Sequence, residues 1–333
     1  MGAFKDRKYF VTGGSGFIGS SLVKRLVAAG AQVRVLDSHL RGSPRHLASV
    51  IDKIELVRGD IRNPNVVARC CEGCDSIIHL AYLNGTEYFY TKPELVLEIA
   101  VKGMMNTLDA AIENGIKDFI YCSSSEVYQT PQQIPSPETV PLIVPDVMNP
   151  RYSYGGGKII SELLAMNYGR KHFNRMTIFR PHNVYGSDMG GEHVIPQFIL
   201  RAKAAAEITS NPEIPFSIQG EGSETRSYIY IDDFIDGLML VVEYGKHNEI
   251  YHIGTQEELS VRDLAVQVVS LFDRRPVFQH LPLQAGSTPR RCPDITKLRA
   301  LGFVPRIPLS DGLKKTCDWY VANAHLFAAA SLR

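Results

Sequence analysis

The sequence predicts an α/β protein built on a doubly wound parallel sheet, with a smaller C-terminal α/β lobe. Two observations predict it. Through the first half of the 333-residue chain, short apolar runs alternate with helical patterns. The runs are rich in Val, Ile and Tyr and mostly lack polar–apolar alternation, as expected of parallel strands covered on both faces. The length exceeds one typical domain, and a 44% hydrophobic content can fill a large core.

Residues 9–12 read as the first strand and 17–29 as the helix that follows. Residues 32–36 and 54–57 are the next strands, 65–71 a helix, and 76–80 the fourth strand. Residues 93–114 form one long helix, and 118–122 the fifth strand. A Pro-rich loop spans 130–150, with prolines at 131, 135, 137, 141, 145 and 150. A helix over 152–173 and a buried strand at 176–179 follow. Beyond Gly186 the pattern loosens, because Gly190, Gly191, Pro196, Pro212 and Pro215 punctuate it. Helices are expected near 231–244 and 261–272. The expected division is residues 1–186 as the dinucleotide-binding unit, also receiving part of 226–255, and 187–333 as a discontinuous second lobe.

Composition excludes several classes. Lys+Arg 36 against Asp+Glu 35 leaves a formal charge of +1, with no basic excess for a nucleic-acid backbone. The apolar runs are too short and interrupted for a transmembrane helix. The polar first eight residues lead straight into a strand, so no secretory signal is expected. Cys70, Cys71 and Cys74 cluster, but neither a second pair nor suitably spaced histidines accompany them, so no metal site is expected. Reduced thiols in a cytoplasmic protein are the simpler reading.

The strongest local motif is Thr12-Gly13-Gly14-Ser15-Gly16-Phe17-Ile18-Gly19. Gly13, Gly16 and Gly19 are spaced G-x-x-G-x-x-G. Alone such glycines mark an ordinary turn. Here they follow a strand and open an apolar helix, where a tight turn and free helix N–H groups suit a pyrophosphate. Gly13, Ser15, Gly16, Phe17, Ile18 and Gly19 are therefore the candidate cofactor contacts. The second strand ends at Asp37, 18 residues after Gly19. A carboxylate there can accept both adenosine ribose hydroxyls and would repel a 2′-phosphate, so NAD is expected. Arg34 and Arg41 read as solvated surface charges. Asp60 and Ile61, after the third strand, are placed to face the adenine, although Asp60 could equally cap its own loop.

The fifth strand runs into Ser123-Ser124-Ser125-Glu126-Val127-Tyr128. Downstream, Tyr154 and Lys158 share one helix face at i, i+4 spacing. An ammonium there can lower the phenol pKa electrostatically. The phenolate could then take a hydroxyl proton as hydride leaves. Such a pair is common by itself; its occurrence after a dinucleotide turn is what points to chemistry.

On these motifs the chain resembles the extended short-chain dehydrogenase/reductases, specifically the sugar-nucleotide epimerase/dehydratase group. T-G-G-S-G-F-I-G, S-S-S-E-V-Y and the Y-x-x-x-K of Tyr154 and Lys158 carry the resemblance. So do Arg180 to Gly186, Arg226 to Asp233 and Arg290 to Ile295. The resemblance covers nearly the whole chain and implies a Rossmann-type sheet. It implies Tyr154 as base, Lys158 as its electrostatic partner and Ser124 as the hydroxyl that holds the same substrate oxygen. It implies that Leu80 and Ala81 line the cofactor, with Tyr82 replacing a usual Ala. Asn183, Arg226 and Arg291 fall where the family binds the nucleotide diphosphate, and guanidinium forks suit phosphate oxygens. His193, with Leu83, Asn84, Thr86 and His182, is a further substrate-facing candidate. The departures are Gly155, Gly156 and Gly157 inside a helix, Ala100 in place of Asn, and Gln129 in place of Gly.

The expected substrate is a nucleoside-diphosphate sugar, oxidised transiently at C4. A 4-epimerase needs only Tyr154, Ser124 and NAD, and is the first expectation. Glu126 sits where dehydratases and uronate decarboxylases of the family place a catalytic Glu. A UDP-glucuronate decarboxylase-like or 4,6-dehydratase reaction is therefore the alternative. A non-catalytic NAD-binding scaffold and a simple alcohol dehydrogenase are remoter readings. Neither explains both the retained Ser124, Tyr154 and Lys158 and the arginines. The resemblance also implies a homodimer through a four-helix bundle using Leu95, Val96, Ile99, Ile159, Ile160, Leu163 and Leu164.

Overall fold

A computed structural model describes residues 4–282, 286 and 288–327. Seven parallel strands form the main sheet. They are β1 (Lys8–Thr12), β2 (Gln32–Asp37), β3 (Ile54–Arg58), β4 (Ser76–His79), β5 (Asp118–Cys122), β6 (Arg175–Pro181) and a last strand at Glu249–Ile253. Their spatial order, with that last strand at one edge, ends in β6-β5-β4-β1-β2-β3. The order reverses direction between β1 and β4, which opens a crevice at the strands' carboxyl ends.

Neighbouring residues on each strand face opposite ways, and both faces are packed. Phe10, Ile77, Phe119 and Ile178 enter one core. Val11, Ile78, Ile120 and Phe179 enter the other. This is why the strands read as continuous apolar runs. Each fully buried side chain of this size contributes about 1.5–3 kcal/mol. The first core lies under helices α2 (Pro64–Cys71), α4 (Pro93–Glu98), α5 (Met104–Glu113) and α6 (Ser153–His172); α3 (Thr86–Thr91) sits at its edge. The second lies under α1 (Phe17–Ala28), α7 (Val194–Ile208), α8 (Ile231–Tyr244) and α9 (Val261–Ser270).

Two expectations are corrected. The long helix over 93–114 is interrupted by a π turn at Ile99–Gly103. Gly103 lies against Ile61, where any Cβ would collide with the Ile61 side chain. The Ser161 hydroxyl donates to the Ala100 carbonyl (3.2 Å) and the Thr107 hydroxyl to that of Gly103 (2.7 Å). Side chains thus serve carbonyls that a π turn displaces from the helical ladder. The stretch after Gly186 is also more regular than its prolines suggest, because α7 runs 15 residues. Pro196 sits in its first turn, where no intrahelical N–H is needed.

The remaining strands are short. Thr225–Ser227 lies between Glu258–Ser260 and Arg290–Arg291 in a three-stranded sheet, and Glu213–Gln219 pairs with Arg275–Leu281. Among the described residues, no helix is long and apolar enough to cross a membrane.

Candidate active site

The glycine turn is fixed by its neighbours. Gly13 has φ +71°, and a Cβ there would stand 2.8 Å from the Ala81 backbone. A Cβ at Gly19 would collide with the Gly13 carbonyl. Thr12 ties this turn to the end of β4. Its hydroxyl accepts from the Leu80 and Ala81 amides (3.2 and 3.1 Å) and bonds the His79 ring (2.9 Å). Asp37 accepts from the Ser15 amide (2.9 Å) and the His39 amide (2.8 Å). Each carboxylate oxygen keeps further acceptor capacity. The Ser15 hydroxyl is buried and has no hydrogen-bond partner among the described residues. A turn that excludes Cβ atoms, a helix N-terminus and an unsatisfied buried hydroxyl fit a dinucleotide pyrophosphate.

Asp60 and Ile61 follow closely on β3. The Asp60 carboxylate is held by the Arg62 amide (2.8 Å) and guanidinium (2.7 Å), so it caps its own loop. Ile61 is buried against Gly103. Arg34 does pair at the surface with Glu55 (2.6 Å). Arg41 does not behave as a surface charge. It pairs with Glu192, and burial lowers its pKa.

Beyond β5 the chain turns through a short 3₁₀ helix, Ser125–Tyr128, capped by the Ser124 hydroxyl, which accepts from the Glu126 amide (3.1 Å). Ser124 lies near enough to the Tyr154 phenol to act on its titration. The phenol is 7% exposed. Burial drives its pKa well above the ordinary value, while Ser124 and, more weakly, Arg41 pull it down. Phe89 on α3 stacks on its ring at 4.8 Å and Tyr82 meets it edge-on at 5.0 Å.

Lys158 stands one turn further along α6. Its ammonium donates to the Cys122 carbonyl (2.6 Å) and lies 6.0 Å from the Tyr154 ring centre. It sits closer, at 3.9 Å, to the face of Tyr82. Burial pushes its pKa down to about 8.

The helix glycines have separate causes. A Cβ at Gly155 would stand 2.7 Å from the Gln129 side chain and 3.0 Å from the Glu126 carbonyl. A Cβ at Gly157 would collide with the Tyr82 hydroxyl and stand 2.9 Å from the Ala100 methyl. Gly156 faces Val144 at an ordinary 3.5 Å. Two of the three glycines thus make room for Gln129 and Tyr82, the bulkier residues noted as departures.

A cationic cluster lies on the other side of Ser124. Glu126 pairs with Arg291 (2.7 Å), whose second amino group donates to Thr288 (3.0 Å). Arg226 is the register partner of Arg291. Burial and the Arg291 charge lower the Arg226 pKa to about 10. Arg291, Arg151 and Arg226 together hold Glu126 below the usual carboxylate range against the opposing effect of burial. Asn183 donates to the Ser227 carbonyl (2.9 Å), on the strand that carries Arg226.

Below the site, Arg180 and Glu162 form a buried ion pair (2.5 Å) that Ser123 joins. The Tyr128 hydroxyl bonds His252 (2.6 Å) and Arg180.

The structure brings Ser124, Glu126, Tyr154, Asn183, Arg226 and Arg291 to one end of the sheet. His193 caps the start of α7 beside Glu192, where burial and then Arg41 lower its pKa to about 4. Leu83 and His182 are buried, whereas Asn84 and Thr86 are exposed. Sequence reasoning passed over Phe89 and the role of Arg41. No local pattern marks either, because each acts on residues far along the chain. Among the described residues, no cluster of His, Cys, Asp and Glu could hold a metal ion.

A model of the NAD dependent epimerase/dehydratase family matches residues 9–254. UDP-glucuronic acid decarboxylase 1 of Danio rerio is 30% identical over 322 residues, covering 95% of this chain and 73% of the relative. The dTDP-glucose 4,6-dehydratase DesIV of Streptomyces venezuelae, crystallised with NAD bound, superposes with a TM-score of 0.86 at 29% identity. That superposition covers 97% of this chain and 99% of the other. A UDP-glucose 4-epimerase of Thermotoga maritima, with UDP-glucose, gives 0.83 at 26% identity over 95% and 99%. Three reactions share this architecture, so overall similarity does not choose among them.

Proposed function

The chain belongs to the NAD dependent epimerase/dehydratase family, and from that premise we propose that it is a nucleotide-sugar 4-epimerase working through a transient 4-keto sugar. Tyr154 takes the proton of the sugar C4 hydroxyl and later returns it, while Ser124 holds the same oxygen. Lys158 supplies positive charge behind the phenol. Arg226, Arg291 and Asn183 hold the diphosphate of a nucleoside-diphosphate sugar. NAD, held on Gly13, Ser15, Gly16 and Gly19 with Asp37 at its ribose, supplies reversible oxidation at C4 when bound.

The observation that carries the choice is the state of Glu126. Dehydration needs a proton donor for the departing C6 hydroxyl. Glu126 is paired with Arg291 and held ionised by three guanidinium groups. An ionised carboxylate can take the C5 proton but cannot supply the one the departing hydroxyl needs, and Ser125 beside it is no carboxylic acid; epimerisation asks for neither group.

A decarboxylase reading has its own support. Its keto acid loses carbon dioxide without protonating a leaving hydroxyl, and the guanidinium excess around Glu126 suits one more carboxylate. A panel of sugar nucleotides incubated with enzyme and NAD, read by mass spectrometry, decides. Unchanged mass with new stereochemistry supports epimerisation. Loss of carbon dioxide or of water refutes it in favour of the corresponding lyase.

We assign residues 1–186, with part of 226–255, to the cofactor half and 187–333 to the nucleotide-sugar lobe. The assembly proposed is a homodimer pairing the helical run 93–113 with α6. Leu97, Ile160 and Leu163 are exposed on those helices, whereas Val96 and Ile99 are spent inside the subunit. A monomer mass in light scattering at micromolar concentration would refute it. Six unpaired, buried cysteines support a reducing, cytoplasmic setting.

A further inference from the structure

We propose that Tyr82 is a positioning residue that holds Lys158 and Tyr154 in their working arrangement, its ring supporting the ammonium and its hydroxyl the helix turn. The inference rests on the reading of Tyr154 and Lys158 as base and electrostatic partner.

Tyr82 touches both residues. Its ring face lies 3.9 Å from the Lys158 ammonium nitrogen. Its hydroxyl donates to the Tyr154 main-chain carbonyl (3.2 Å), and its ring meets the Tyr154 ring edge-on at 5.0 Å. Gly157 is the complementary change, since any side chain there would collide with the Tyr82 hydroxyl. A glycine inside a helix costs stability relative to alanine. Spending that stability to admit one hydroxyl argues that the contact is specific rather than incidental filling.

The electrostatics give the contact a task. Lys158 is 2% exposed. A buried ammonium loses hydration, and burial favours its neutral form. A neutral Lys158 would no longer favour a phenolate at Tyr154. The negative face of an aromatic ring partly replaces the lost water. The groups around Lys158 are His79 on β4, Tyr82 after it, Tyr121 and Cys122 on β5, and Tyr154 and Glu162 on α6. Cys122 offers the Lys158 ammonium its carbonyl, and Tyr82 offers it the nearest ring face.

The test titrates Lys158 directly. NAD-loaded enzyme is labelled with ¹³C at lysine Cε, and the signal missing from Lys158→Met identifies the residue. Tyr82→Ala is expected to lower the Lys158 midpoint by about one pH unit. Tyr82→Phe, which keeps the ring, is expected to leave it in place. An unchanged midpoint in folded Tyr82→Ala overturns the proposal, and so does an equal drop in Tyr82→Phe. Should Tyr82→Ala fail to fold, Gly157→Ala displaces the ring instead; a lowered midpoint supports the proposal and an unchanged one overturns it. The catalytic reading fails separately, through full activity in Tyr154→Phe. The titration does not depend on turnover, so the two failures are distinguishable.

Discussion

Arg226 and Arg291 are register partners on adjacent parallel strands, and the carboxylate of Glu126 is paired with only the second of them. Two guanidinium groups side by side repel each other, and burial heightens the repulsion. One carboxylate leaves a net positive charge, which a diphosphate would neutralise. Arg226→Met is therefore expected to raise KM for the nucleotide sugar about ten- to a hundredfold, with a smaller change in kcat. Steady-state kinetics checks it. An unchanged KM would remove Arg226 from the diphosphate site.

Tyr154→Phe removes the proposed base and keeps the ring that packs on Phe89 and Tyr82. Turnover is expected to fall by about two to four orders of magnitude. NAD affinity and melting temperature should stay near those of the parent enzyme. Product analysis together with a thermal melt separates lost chemistry from lost folding.

Lys158 gives the pH dependence its direction. Its pKa is lowered to about 8. The ammonium is present below that value and lost above it. Activity should fall as pH rises through about 8, because the phenolate loses its supporting charge. A kcat profile flat to well above this value would contradict that role.

Gly19→Ala places a methyl group against the Gly13 carbonyl. The turn must open to admit it. NAD should then no longer raise the melting temperature, whereas the protein without cofactor still folds. Thermal shift with and without NAD measures this.

The sheet was legible because Phe10 and Val11, or Ile77 and Ile78, bury on opposite faces, so that every strand reads as unbroken apolar sequence. The glycine turn was legible because its neighbours in sequence are also its constraints. The π turn was not, since nothing local marks it; Gly103 within it packs against Ile61, about forty residues earlier. Helix α7 was hidden by Pro196, a breaker everywhere except in a first turn. At the site, spacing placed Tyr154 and Lys158 on one helix face but could not aim the ammonium. The ammonium meets the Cys122 carbonyl and the face of Tyr82, which arrives from another strand end. Arg41 reads as a surface charge because its partner, Glu192, lies far along the chain. Asp60 bonds its neighbour Arg62, and its carboxylate remains over a third exposed beside β3.

The most direct test of chemistry confined to C4 is product analysis after reaction in deuterium oxide. Oxidation and reduction at C4 return the same hydrogen to carbon without exchange with solvent. An epimerised sugar nucleotide carrying no carbon-bound deuterium is the expected result. Deuterium at C5, as protonation at that carbon would leave, would contradict the account.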